Sequence, residues 1–351
     1  RLEKEDRNDP GTLARLRGWG FNTVVVPAAD ASAWDGGVVA VAAANFCDAA
    51  SVIRAPGVRL PDVFEPGWSD RAHEHAASCC APLREHPAVL GWLFDEELSW
   101  GVHAGAGRPT LLQVCLSLEP NFAAYHAAWE FVLAPHGGKL ASLAKAWSQP
   151  MANREGVREL TRNEQALASR GYLRDNLRWT REFAGRYFKL TSDAIRAHDP
   201  NHLLLGAPGA AESGEIEATG AATRVTAFAP VDVMWASWND VPASAPGPVF
   251  AADFTWAAET FFQPSGRSRG LTSVERMLRK GRVALQRLVG HPAVVGYSWP
   301  RWRDHPGEQP PFASGLVHVN GAEAREHTEL VADIHLKVSK LRPWASGPSS
   351  Q

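Results

Sequence analysis

The feature that most constrains this chain is the alternation of helical patterns with short, β-branched runs. Thr12 to Trp19 has a helical pattern closed by Gly20, and Phe21 to Pro27 follows as a strand. Val38 to Phe46 is a second apolar run. Ser69 to Glu85 reads as a helix with Ser69 as N-cap and Asp70 in its first turn. Val89 to Phe94 is then a strand, and Leu111 to Trp147 is helical with a break near Pro120. Arg181 to His198 is a long amphipathic helix with Phe183, Tyr187, Leu190 and Ile195 on one face. His202 to Gly206, Val231 to Ala236, Pro248 to Phe254 and Val294 to Trp299 are further strands, with helices expected over Ser273 to Val289 and Ala322 to Leu341. Such alternation predicts parallel β-α-β units.

Seven strands are read in this way, one fewer than an eight-stranded barrel requires. The expected fold is therefore α/β: a TIM-type (β/α)8 barrel lacking or truncated at its first strand, which would precede Arg1. One domain is expected over residues 1–351, with a helical excursion at 101–180 after the fourth barrel strand.

Chemistry concentrates at strand ends. Gly91-Trp92-Leu93-Phe94 runs straight into Asp95-Glu96-Glu97 and then Leu98-Ser99-Trp100. Burying charge is costly, and acids at the carboxyl end of a barrel strand occupy the place where such barrels put their active sites. Cleavage of a glycosidic bond needs two carboxyl groups, one to donate a proton and one to act as nucleophile or base. The second candidate is Asp253, which ends the apolar run Pro248 to Ala252 and is followed by Phe254-Thr255-Trp256. A lone Asp in that position also serves as a turn or cap residue. A third element, Gly296-Tyr297-Ser298-Trp299, ends the last strand on an aromatic that suits stacking on a sugar ring or packing in the core.

Composition removes other classes. A net charge of -2 offers no basic field for nucleic acid or an anionic membrane surface, and no apolar run is long enough to span a bilayer. Neither a phosphate-binding nor a dinucleotide fingerprint is present. His73 and His75 would face different ways on a helix, and His198 and His202 straddle Pro200, so no metal set is read and no cofactor is implied. Cys47, Cys79, Cys80 and Cys115 lack zinc or redox spacing and read as small apolar residues. That usage mildly favours a reducing, cytoplasmic location over secretion. Since the chain opens on Arg1 rather than Met, any signal peptide would already be gone.

These elements resemble a clan A glycoside hydrolase, in particular the bacterial beta-galactosidase and beta-agarase group. The likeness rests on Arg17-Gly18-Trp19-Gly20-Phe21-Asn22-Thr23, on Asp62-Val63-Phe64-Glu65-Pro66 and on His86-Pro87-Ala88-Val89-Leu90-Gly91-Trp92. It continues in Arg186-Tyr187-Phe188, in His198-Asp199-Pro200-Asn201-His202 and in Gly315-Leu316-Val317, in collinear order from about Leu16 onward. The resemblance implies a carbohydrate substrate and a β-linked galactoside. It places the proton donor at Glu97 and the nucleophile at Asp253. Asp95, Glu96, Asn45, Trp238, Asn239, Trp256 and Trp299 would line the sugar site, with Asp95 also supporting the strand end, while Trp100 would stack or pack.

Two positions depart from the group. Glu96 stands where an Asn is usual, and Asp253 stands where a Glu is usual. The shorter side chain would widen the carboxyl separation from the retaining value of ~5 Å towards the inverting range that begins at ~6.5 Å. Three readings follow: a glycosidase with altered geometry, a barrel that binds carbohydrate without cleaving it, and a different carbohydrate reaction in the same pocket.

Overall fold

The computed structural model describes residues 6, 9–34, 37–96, 98–101, 107–207, 231–238, 241, 245, 247–256, 274–304 and 314–341. The chain divides into two compact units, one formed by Arg1–Ala42, Pro87–Leu90 and Val233–Gln351, the other by Ala43–His86 and Gly91–Asp232.

The first unit opens with α1 (Pro10–Gly18), capped by the Asp9 side chain, which accepts from the Gly11 N–H at 2.9 Å. Trp19 closes the helix and Gly20 follows at φ 79, a conformation glycine adopts without a Cβ penalty. Here the Trp-Gly-Phe-Asn-Thr phrase acts as a helix stop that starts β1 (Thr23–Pro27). β1 lies next to β2 (Val39–Ala43), and the Val39 and Ala40 N–H groups donate to the Asn22 and Ala88 carbonyls. Three parallel strands form a second sheet: β8 (Met234–Ser237), β9 (Val249–Ala252) and β10 (Val294–Tyr297), in the order β10-β9-β8. β9 is buried along its whole length, as expected of a central parallel strand. α8 (Val274–Gly290), α9 (Arg325–His335) and α10 (Val338–Leu341) complete the described helices of this unit. The closing helix is thus in two pieces rather than the single run expected.

The second unit contains the pairing of β5 (Val89–Leu93) with β7 (Leu203–Gly206), parallel with Gly91 opposite Leu203 and Trp92 opposite Leu204. A Cβ on Gly91 would lie 2.4 Å from Leu205 Cδ1 and 2.5 Å from the Leu203 carbonyl oxygen. Gly91→Ala should therefore destabilise the fold by about 2 kcal/mol through overpacking, read as a lowered urea midpoint with unchanged slope.

α2 (Trp68–Cys79) begins one residue earlier than read and stops well short of Glu85. Its N-cap is Gly67 at φ 75 rather than Ser69, and a 3-10 turn over Ala81–Leu83 replaces the last expected turn. The cause is Pro82, which has no N–H to continue the helix. Beyond β5 the chain builds α3 (Leu111–Ser117), α4 (Ala123–Leu133), α5 (Leu140–Ala146) and α6 (Glu155–Arg162) before α7 (Arg170–His198). α7 starts eleven residues before the expected Arg181, because the Ser169 hydroxyl accepts from the Tyr172 N–H and caps it there.

One element escaped the sequence reading. β3 (Val52–Ala55) and β4 (Val58–Pro61) form an antiparallel hairpin, and β4 also pairs β6 (Ser99–Trp100). The signal was Pro56-Gly57, with Gly57 at φ 75 as the third residue of a tight turn requires.

Two phrases of the resemblance are structural joints in this unit. The buried Asp62 carboxylate accepts from the Ala124 N–H at 3.0 Å and the Phe64 N–H at 3.1 Å, fixing the start of α4. Asp199 accepts from the Trp92 indole and from His202 Nδ1, both at 2.7 Å, and so binds the α7–β7 turn to β5. Those donors hold the Asp199 carboxyl below the usual carboxylate range despite the opposing effect of its burial.

Candidate active site

In the second unit the strand ends are extended by single backbone bonds. The Ala44 N–H donates to the Leu93 carbonyl at 2.9 Å, and the Phe94 N–H donates to the Gly206 carbonyl at 2.7 Å. The chain then turns sharply. Asn45 takes the left-handed conformation (φ 58, ψ 59), which Asn tolerates better than most residues, and its Oδ1 accepts from the Glu96 N–H at 3.2 Å. The half-buried Asn45 side chain therefore grips the backbone of the acidic segment itself.

Asp95 is 1% exposed. One oxygen accepts from the Cys47 N–H at 2.9 Å and the other from the Tyr187 hydroxyl at 2.6 Å. Burial is the dominant influence and pushes its pKa up to about 7, against the lowering effect of those two donors. Tyr187, also buried, is pushed well above its ordinary value by the same burial and by Asp95. Both oxygens of Asp95 are committed inside the protein, so it braces the strand end; the expected place beside a sugar is not where its side chain lies. Glu96 is half-buried next to it. Glu97, the expected proton donor, lies outside the described residues. Trp100 is 1% exposed and stacks on Phe188 at 5.9 Å, so packing is its role.

In the first unit Asp253 follows β9 directly and holds a left-handed backbone (φ 54), which Asp tolerates better than most residues with a Cβ. Its N–H donates to the Ser298 hydroxyl at 2.9 Å. The next residue, Phe254, donates to the Ser298 carbonyl at 2.8 Å, so Ser298 fixes the turn from both sides. The Asp253 side chain opens to solvent, yet the surrounding protein desolvates it enough to raise its proton affinity. Of the alternatives left by sequence, Asp253 does sit in a turn, and no hydrogen bond to its carboxylate occurs among the described contacts.

The aromatics near Asp253 are more buried than expected of sugar platforms. Trp256 is fully buried, its indole donates to His327 Nδ1 at 2.7 Å, and its ring meets Trp299 edge-on at 4.6 Å. Trp299 is 6% exposed and donates to the Ser314 carbonyl at 2.6 Å. Trp256 is therefore a core residue, a correction to its expected contact with substrate. Trp299 also lines a small cavity with Phe21, Tyr297, Arg301 and Trp302. Trp238 is half-buried and packs edge-on against Phe254 at 5.0 Å, whereas Asn239 lies outside the described residues. Among the described residues no cluster of three or more His, Cys, Asp or Glu could hold a metal ion, and no helix is long and apolar enough to cross a membrane.

No family model matches the chain. It is similar to Beta-agarase A of Vibrio sp. (strain JT0107), 27% identical over 269 residues that make up 72% of this chain and 25% of that protein. Among solved structures it is similar to an exo-beta-agarase (TM-score 0.69, 19% identity, 95% of this chain and 48% of that one) and to PfGH50B (TM-score 0.69, 18% identity, 94% and 50%). A beta-galactosidase from the psychrophilic Marinomonas ef1 also matches (TM-score 0.56, 15% identity, 97% and 58%). The chain thus spans about half the length of the first two of these structures and a quarter of the curated relative. The alternating parallel strands, the acids at their ends and these likenesses agree on one architecture: the chain has the α/β fold of the glycoside hydrolase barrels.

Proposed function

We propose that the chain is a glycosidase acting on a β-linked galactoside, oligomeric or polymeric, with Glu97 as acid/base and Asp253 as nucleophile or as base for water. The observation that most supports this is Asp253 itself. It is a carboxylate at the end of a buried strand, held in its turn by Ser298 and desolvated enough to raise its proton affinity, as a reacting acid would be. The similarity to Beta-agarase A points to galactose-based polymers as the substrate class. Glu97 protonates the leaving oxygen; Asp253 attacks the anomeric carbon or activates water, and Glu97 then takes up a proton in the second step of a retaining cycle. No cofactor enters this chemistry.

The test is a screen of the protein against agar oligosaccharides, galactans and aryl β-glycosides, with reducing ends as the readout. Cleavage confined to β-galactosidic bonds supports the proposal. Cleavage of other glycosides alone would discard the substrate class. The substitution of Glu96 for the usual Asn favours a second reading, carbohydrate binding without cleavage. Under that reading the wild type releases no reducing ends, and Glu96→Asn combined with Asp253→Glu creates activity on aryl β-galactosides.

A further inference from the structure

α2 ends on two adjacent cysteines that the glycosidase chemistry does not use. Their sulfurs lie 3.5 Å apart, with Cys79 half-buried and Cys80 fully buried. All four cysteines of the chain are free thiols. Cys80 belongs to the helix end, since its N–H donates to the Ala76 carbonyl at 2.7 Å and its own carbonyl accepts from Leu83 at 3.0 Å.

The spacing discriminates between the things two thiols can do. A disulfide joins residues whose Cα atoms are usually 4.4–6.8 Å apart, whereas adjacent residues on a trans peptide stand only about 3.8 Å apart. Ring closure here would have to break the last turn of α2. A linear two-thiolate ion needs its sulfurs about 4.6 Å apart, twice a metal–sulfur bond of about 2.3 Å. At the observed 3.5 Å, bonds of about 2.3 Å meet at an angle of about 100°. A tetrahedral zinc site would require further ligands, and no group of three or more His, Cys, Asp or Glu occurs among the described residues. What remains is a bent centre held by two sulfurs and carrying its own third substituent.

We infer that Cys79 and Cys80 form a dithiol site that chelates a monosubstituted trivalent arsenical. The reaction is a condensation without change of oxidation state. Each thiol forms a sulfur–arsenic bond, the two thiol protons combine with the arsenic-bound oxygen, and one water leaves per oxide. Cys79 attacks first, because its side chain is the more accessible of the two. Cys47 and Cys115 make no sulfur–sulfur contact among the described residues, so neither can give a two-sulfur chelate, and they serve as internal controls.

The test uses phenylarsine oxide on the native protein, with intact mass and peptide mapping. The expected result is one adduct per chain, located on the peptide holding Cys79 and Cys80, stable to a monothiol and removed by a dithiol. Cys79→Ser and Cys80→Ser should each abolish the monothiol-resistant adduct, with the far-ultraviolet circular dichroism of each variant confirming its fold. Because Cys79 is only half-buried, its variant alone is decisive if the buried replacement disturbs folding. Three outcomes overturn the inference: no adduct on the native protein, an adduct that survives Cys79→Ser, or an untreated protein already two hydrogens short at this peptide, which would show a disulfide instead.

Discussion

Asp253→Asn is expected to reduce hydrolysis of a β-galactoside by about 1000-fold, within the range for loss of a positioned acid–base group, while leaving affinity for the sugar nearly unchanged. The substitution keeps the size of the side chain and the left-handed turn, since Asn is at ease at φ 54. It keeps the N–H donation to Ser298 as well, because that bond is made by the backbone. What it removes is the carboxylate. Steady-state kinetics on an aryl β-galactoside, with binding measured by calorimetry, separates the two effects. Unchanged turnover would take Asp253 out of the mechanism and return it to the role of a turn residue.

The second large effect concerns stability. Asp95 has a pKa of about 7 in the folded chain against 3.8 when free, so between those values the folded state holds a proton that the unfolded state has lost. Stability contributed by protonated Asp95 is therefore fully present below pH 3.8 and declines as pH rises to about 7. Three pKa units at about 1.4 kcal/mol each amount to roughly 4 kcal/mol across that window. Asp95→Asn should remove this slope. The amide oxygen still accepts from the Cys47 N–H, the amide nitrogen can donate to the Tyr187 oxygen, and no charge is left to desolvate. Urea unfolding of both proteins at a series of pH values reads the difference directly. Parallel curves would mean that Asp95 is not the group that titrates.

The strands were legible in sequence because each is a short β-branched or apolar run between turn residues, and burial rewards that pattern almost regardless of its neighbours. Phe21 to Pro27, Val89 to Phe94 and Pro248 to Phe254 all became strands within a few residues of expectation. Asp253 was legible as well, since an acid closing a buried run is locally unusual. The roles of the aromatics were not. Trp256 reads the same whether it faces a sugar or His327, and only the packing of Trp299 and His327 around it decides. For the three acids at 95–97 the resemblance already divided the roles, with Glu97 as donor and Asp95 supporting the strand end, but it named no partner. Tyr187, 92 residues away, singles out Asp95 as the buried brace, and no local pattern announces such a partner. Asn45 was expected at the rim; its grip on the Glu96 backbone depends on a left-handed turn visible only in the fold.

Asn45 and Asp95 thus hold the segment leading to Glu97, and Ser298 holds Asp253. The most direct test of the whole account is release of reducing ends from agar-derived oligosaccharides by the wild type and by Glu97→Gln, side by side. The account predicts β-galactosidic cleavage by the wild type and its loss in Glu97→Gln with sugar binding retained. Undiminished cleavage by Glu97→Gln, or sugar binding by the wild type with no cleavage at all, would contradict it.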